Sequence, residues 1–508
     1  MAQSLPTHDS RCTATYPRAS LRWRGVAGLI SVLVIVIGSP LTVSAKGRAA
    51  QVAGQFYPAE ADELRSLVTT LVAKQPAPVR AESPRILIVP HAGYPYSGAV
   101  AARAYRQIQG QTYDAVIVVG FTHRQSFSGA SIDTVATYHT PLGEIPVDQD
   151  VAAFLREYPG ITHVDTAHAS AEHSLEVQLP FLQVALGAFK FVPILMGSDT
   201  FEDAQALATA LAALAQRGNY LFVFTTDLSH YHPYDEAKRI DAGMVATLEF
   251  ETPHAAHRLF QQGIVEACGR GPVVSALLLA VKLGYLERAL LAYANSGDTT
   301  GDRSRVVGYA AMSMYDHPAE AAPTISPEAG AALVHAARET LEQWLDTLGT
   351  TQADAIEARL LEQFPELKQA TGLFVTLRRH GELRGCIGRI ESDQPLATLL
   401  PPIALDAALR DGRFAPVTKD ELDDIVIDVS VLSSPRRLTE PSAIVAGRDG
   451  VILRQGNQQG VFLPQVWEET GWTRLEFLRE LASQKAGLPP DAWQHAELFV
   501  FQDQAFSE

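Results

Sequence analysis

Cysteine is scarce, with three in 508 residues at positions 12, 268 and 386. Thiols so few and so far apart exclude a disulfide framework as the source of stability. Basic charge is also short: 41 Lys and Arg stand against 57 Asp and Glu, a net charge of −16. No basic run interleaved with aromatics occurs, so nucleic acid is not expected as a partner. The acidic balance favours solubility and names no ligand. Internal repeats and low-complexity segments are missing too. What remains is 47% hydrophobic and 19% charged, the proportions of a folded protein. A chain this long exceeds one ordinary core, so two or three domains are expected.

One long uncharged stretch stands out. Arg11, Arg18, Arg22 and Arg24 precede Gly25 to Ala45, which carries no charge, is broken at Ser39-Pro40 and ends in Val43-Ser44-Ala45. A basic start, an apolar run and small residues at its end predict a secretory signal over 1–45, leaving Lys46 as the mature N-terminus. The alternative is an uncleaved membrane anchor, because the stretch is long enough to span a bilayer. Either way the remainder is expected outside the cytoplasm, in the periplasm or the medium.

From Gln51 to about Tyr315, short apolar runs alternate with helical stretches. "RILIVP" (85–90), "AVIVVG" (115–120), "KFVPILMG" (190–197), "YLFVFTTD" (220–227) and "VVGYAAMSM" (306–314) read as strands, with helices over Ala204–Arg217 and Pro272–Leu283. That order predicts an α/β domain over 46–315 with a mainly parallel sheet covered on both faces. Residues 316–327 carry prolines without apolar periodicity and are expected to form a linker. Over 328–508 the order is less regular. A helix (Ala329–Leu348), a hairpin turning near His380-Gly381 and an alternating strand in "DIVIDVSVLSSP" predict an α+β domain.

Chemistry gathers where the strands end. The first strand leads through Pro90 to His91, the second to His123, and the fourth to Asp227, His230 and His232. A further segment, "LLAYANSGDTTGDRS", ends in Asp298 and Asp302, with Gly297 and Gly301 allowing close backbone approach to a ligand. "HASAEHSLEVQLPFL" adds His168, Glu172, His173, Glu176 and Gln178, the two glutamates at helical spacing. Parallel strands deliver their carboxyl ends to one edge, so these side chains are expected to converge. Imidazole with carboxylate suits a divalent metal: iron first, because two His and one acid form the open site of non-haem oxygenases, with copper or zinc as alternatives.

"VPHAGYPYSG", "GFTH", "EHSLEVQLPFL", "DLSHY" and the "SGD" segment, in that order, resemble the Memo family over about residues 50–315. The resemblance implies the fold of LigB-type (class III) extradiol dioxygenases. It implies His91 and His123 as metal ligands and His230 as the acid/base, in a pocket also lined by His173, Asp227 and Tyr94. Animal members carry a cysteine as third metal residue after "YAxSS". The corresponding "YANSGDTTGD" here has none and offers Asp298, with Thr299 beside it. Cys268, in "EACGRGP" at the start of a helix, is expected to be packed instead of catalytic.

"LRGCIG", "RDGRFAPVTKDEL", "VSVLSSP" and "GVFLPQVWEETGWTRLEFLRELASQKAGL" resemble the AMMECR family over about 328–505. Arg384, able to fork onto a carboxylate or phosphate, and Cys386 are the candidate residues there. A structural role is favoured for Cys386, since neither a His nor a paired acid is near it in sequence. Both resemblances on one chain point to the AmmeMemoRadiSam system and imply a radical SAM protein as partner. Such chemistry needs reduced iron–sulfur clusters and cytoplasmic cofactors, which an exported chain does not share. The functional expectation is a metal-dependent oxidoreductase, with His230, Asp227 and His173 catalytic. The alternative is a non-catalytic protein holding a metal or peptide in the same pocket.

Overall fold

The computed structural model describes residues 47–168, 172–315, 325–347, 349 and 351–508. The expected signal segment, 1–45, and residues 316–324 of the expected linker lie outside them. No helix of the described residues is long and apolar enough to cross a membrane.

The N-terminal region contains β1 (Ile86–Val89), β2 (Ala115–Phe121), β3 (Ala130–Ile132), β4 (Thr137–Thr140), β5 (Gly143–Pro146), β6 (Ile161–Thr162), β7 (Phe191–Met196), β8 (Tyr220–Thr225), β9 (His230–His232), β10 (Glu287–Asn295) and β11 (Val306–Tyr315). Apart from the β4–β5 hairpin they form one sheet, ordered β10-β11-β1-β8-β2-β7-β3-β6, with β9 on β11. The neighbours β1, β8, β2 and β7 are parallel. Their uninterrupted apolar runs follow from burial on both faces. Ile86, Ile88, Ile117 and Val119 join one core cluster, and Leu87, Val89, Val116 and Val118 the other. Helices Phe201–Ala215 and Arg270–Leu283 cover the first face, and helices Ala61–Ala73 and Tyr94–Tyr105 the second. Each such buried side chain contributes about 1.5–3 kcal/mol, so the strand exits inherit a stiff support.

The sheet is parallel only at its centre. Strand β11 runs antiparallel to both β1 and β10. Its apolar run looks like the others because two-sided burial selects the same residues whichever way a strand runs.

The C-terminal region holds helices Pro327–Thr347, Ala353–Gln363 and Leu396–Leu409 against β12 (Leu373–Arg379), β13 (Glu382–Arg389), β14 (Ile425–Leu432), β15 (Arg436–Arg437), β16 (Gly450–Gln455), β17 (Gln458–Phe462), β18 (Glu497–Phe501) and β19 (Asp503–Ser507). They make two antiparallel sheets, β13-β12-β14-β19 and β15-β18-β16-β17, an α+β arrangement as the sequence predicts. The β12–β13 hairpin turns at His380-Gly381, both with positive φ (53° and 85°). The two regions touch where the Arg258 guanidinium forks onto Glu476 and donates to the Gly471 carbonyl.

Candidate metal centre

The order of the central strands decides the site. Strand β8 lies between β1 and β2, so the exits carrying His91, Asp227 and His123 are adjacent although 136 residues separate the first two. Asp227 ties them together: its Oδ1 accepts the His91 amide at 2.8 Å. Burial pushes the Asp227 carboxyl up to about 7, against the backbone hydrogen bonds that lower it.

Each of the two histidines is held by its Nδ1. His91 Nδ1 lies 3.0 Å from Thr225 Oγ1, and His123 Nδ1 lies 3.1 Å from Glu172 Oε1. A carboxylate only accepts, so Nδ1 of His123 carries the proton of that bond. Burial raises the Glu172 carboxyl, but the bond and charge of His123, with the amides of His123 and Ser174, hold it well below the usual carboxylate range. Burial, then the neighbouring His123 and His173, hold His91 well below the usual imidazole range, so it is neutral. His173 completes the cluster, stacked on His123 at 4.7 Å and edge-on to His91 at 5.4 Å between ring centroids.

A thiol stands beside the two histidines. Cys268 Sγ is 3.1 Å from His91 Nε2, and the ligand atoms of His91, His123 and Cys268 all lie within 4.8 Å of one another. That spacing fits one ion, whose bonds to imidazole and thiolate run about 2.0–2.3 Å. The Cys268 amide donates to the Asp227 carbonyl and the Gly269 amide to Thr226 Oγ1, docking the turn on the end of β8. Only glycine fits at 269, because a Cβ there would meet the Thr225 carbonyl oxygen at 2.5 Å. Burial pushes the Cys268 thiol up to about 12, so without a cation it is protonated; a bound cation inverts that preference.

The expected third ligand, Asp298, is not brought here. Strand β10 does point its end at the same edge, but β11 stands between it and β1. At about 4.8 Å per strand that is roughly 10 Å from β1 and 14 Å from β8. Asp298 instead accepts from Tyr234 Oη at 2.7 Å and from the Asn295 amide at 2.9 Å, closing a capping box on the helix Ser296–Thr300. Thr299 bonds the Ser296 carbonyl in the same turn. Cys268, expected to be packed, has its thiol against the His91 ring. Its signal in the sequence was a Cys-Gly pair at the mouth of a helix, which strand patterns do not register.

A cavity of about 470 Å³ opens over the cluster, lined by His91, His123, His173, Asp227 and His230, with Phe56, Tyr96, Tyr231 and Tyr309 as aromatic walls. Tyr94 does not line it: the ring is buried and Oη donates to the Val177 carbonyl. Its neighbour two residues on, Tyr96, faces the opening because the helix beginning at Tyr94 turns it outward. His230 Nδ1 is 2.9 Å from the Leu228 carbonyl, which can only accept, so Nε2 is unprotonated. Burial lowers His230, keeping it neutral. Glu172 and Glu176 are not on one helix face. A 3₁₀ turn begins only at Glu176 and the α-helix at Leu179, and the Glu176 carboxylate turns away to Tyr57 Oη and the amides of Gln51 and Val52.

In the C-terminal region Arg384 forks onto Glu421 and donates to the Ala415 carbonyl. The Cys386 amide donates to Asp411, and its Sγ accepts from Thr376 Oγ1 at 3.3 Å. Neither joins the histidine cluster.

Comparison with known proteins identifies the families of both regions. Residues 48–313 match the family described as Memo-like protein, and residues 334–506 the family described as AMMECR1. A MEMO1 family protein of Aeropyrum pernix is 37% identical over 272 residues, covering 51% of this chain and 96% of that one. One from Methanopyrus kandleri is 35% identical over 277 residues, covering 52% and 98%. Among solved structures, an uncharacterized protein from Pyrococcus horikoshii is 37% identical, covering 36% of this chain and 93% of its own, with a TM-score of 0.34. The chain therefore belongs to the Memo family, and its Memo-like region is followed by an AMMECR1 region.

Proposed function

We propose that this protein is a metal-dependent oxidoreductase related to the extradiol dioxygenases, acting on a small hydroxylated aromatic with dioxygen as oxidant. One observation carries the reading. Two imidazoles anchored through Nδ1 stand beside a thiol, which faces Nε2 of His91, under a cavity that also contains a neutral histidine base. His91, His123 and Cys268 would hold the metal, iron or copper, which would supply a redox centre and Lewis acidity. A cavity of about 470 Å³ falls within the range of small-molecule sites, and its aromatic walls suit a planar ring. Nε2 of His230 can take a proton from a substrate hydroxyl, with Nδ1 held on the Leu228 carbonyl so that the ring does not swing. Asp227 positions His91 and does not itself reach for the metal. The test is metal analysis of gently purified protein with an oxygen-uptake screen over catechols and hydroquinones. Redox-inert zinc and no uptake would leave the second reading of a metal-holding protein without turnover.

Export is part of the proposal. It is supported by the Arg-rich start and the uncharged Gly25–Ala45. N-terminal sequencing of the periplasmic or extracellular fraction should begin at Lys46; a full-length soluble cytoplasmic chain would reject export. A role in the AmmeMemoRadiSam system, with a radical SAM partner, is compatible only with the unexported outcome.

A further inference from the structure

A cavity of about 370 Å³ lies between the two sheets of the C-terminal region. One wall is the face of the first sheet turned away from its helices. Leu373, Val375 and Leu377 of β12 join the helical core, so the alternate residues Phe374, Thr376 and Arg378 face the cavity. Thr376 pairs with Cys386 on one side and Asp428 on the other, which sets three polar side chains on one rung of the floor. The opposite wall comes from β17 and the segment after it, with Val461, Leu463 and Val466. Leu383, also lining the cavity, leaves apolar surface exposed to solvent.

The charges around this cavity are matched, with one exception. Arg378 bridges Asp428 and Glu469, and Arg413 forks onto Asp411. Lys485 makes no ion pair or hydrogen bond among the described residues; its ammonium stands over the Phe462 ring, 5.6 Å from the centroid. Its backbone, by contrast, is built into place. Lys485 ends a single π turn, Leu481–Lys485, a rare conformation that occurs mostly at functional sites. Strand β17 approaches that turn so closely that a Cβ at Gly460 would meet the Lys485 Cβ at 2.9 Å and the Ala486 amide nitrogen at 2.8 Å. Gln458 fastens the same turn by donating to the Ala486 and Gly487 carbonyls.

We propose that this cavity binds a small carboxylic acid with an apolar tail, the tail lying on Phe374, Leu383, Ile387, Val461 and Val466 and the carboxylate on Lys485. The space stands at the lower end of small-molecule sites. One ammonium suits a single negative charge. A phosphate dianion would keep an unmatched charge beside Asp411, Asp428 and Glu469, because the guanidinium forks that would hold it are already occupied. This site is separate from the histidine cluster and does not depend on the oxidoreductase reading.

The test is calorimetric titration of the full chain with octanoate, hexanoate, octanamide and octylamine. Octanoate should saturate, and hexanoate should bind about 15-fold more weakly, two buried methylenes short. Octylamine should not bind. Lys485→Met keeps the length of the stem without its charge, and should weaken octanoate about 10-fold while leaving octanamide unchanged. Leu383→Ser, at an exposed position, should weaken octanoate and octanamide alike. His91→Ala should bind octanoate as the wild type does. The proposal is overturned if octanoate does not saturate, if octylamine binds as tightly, or if folded Lys485→Met and Leu383→Ser bind octanoate normally. Loss of octanoate binding in His91→Ala would also overturn it, since the acid would then sit on the metal centre.

Discussion

Cys268 and Cys386 are the two thiols among the described residues, and their surroundings are opposites. Cys268 sits where parallel strands discharge their ends, with His91 at 3.1 Å and three imidazoles clustered above it. Cys386 sits inside an antiparallel hairpin, its nearest charges already matched: Arg413 on Asp411, and Arg384 on Glu421. The difference is topological. Parallel strands send every carboxyl end to one edge, where their side chains converge. Antiparallel strands send alternate ends to opposite edges, and charged side chains there pair across neighbours.

The strongest way to break this contrast is to exchange the thiols for hydroxyls. Cys268→Ser and His91→Ala should each collapse metal occupancy with the circular dichroism spectrum intact, whereas Cys386→Ser should leave it at the wild-type level. Metal loss in Cys386→Ser, measured by elemental analysis, would put chemistry in the wrong region. If turnover is found, His230→Ala should lower it about 10²–10⁴-fold while keeping the metal, as expected for a positioned base. Glu172→Gln should weaken metal binding about 10–100-fold, the usual cost of removing a partner that orients a ligand histidine. Competition with a chelator reads that loss, and no change would mean that His123 is oriented by something else.

A smaller effect separates the two aspartate roles. Asp298→Asn should keep the metal and cost stability of about 0.5–2 kcal/mol or less, a capping loss, because Asp298 serves a helix end. Metal loss in that variant would restore the carboxylate ligand that the sequence suggested. The smallest effect belongs to the contact between regions. The Arg258 bond holds Glu476 down to about 2, below the ordinary carboxyl value near 4.5. A depressed carboxyl stabilises the fold above its unfolded value and loses that contribution as pH falls from about 4.5 toward 2. The pair is partly exposed, so it is worth about 0–1 kcal/mol. Thermal melts should therefore show a slightly steeper acid loss for wild type than for Arg258→Ala; parallel curves would mean that solvent screens the pair fully.

Much of this protein is legible without coordinates. The four central strands are written in unbroken apolar runs because both their faces are buried, and His91, His123, Asp227 and His230 follow those runs directly. The β12–β13 hairpin is equally plain, since residues at 380 and 381 turn the chain with positive φ. What periodicity cannot carry is lateral order and direction. Nothing local in "ALLAYAN" says that β11 will separate it from β1, and that one intervening strand removes Asp298 from the site. Nor does a period of 3.6 or 2 describe the turn that brings Cys268 onto β8, a contact made by backbone hydrogen bonds and a missing Cβ at Gly269. The sequence alone thus determined which strands are buried and which side chains stand at their ends. Only the tertiary structure decided which ends are neighbours, because strand order depends on pairing between segments far apart in the chain, and that pairing leaves no local pattern.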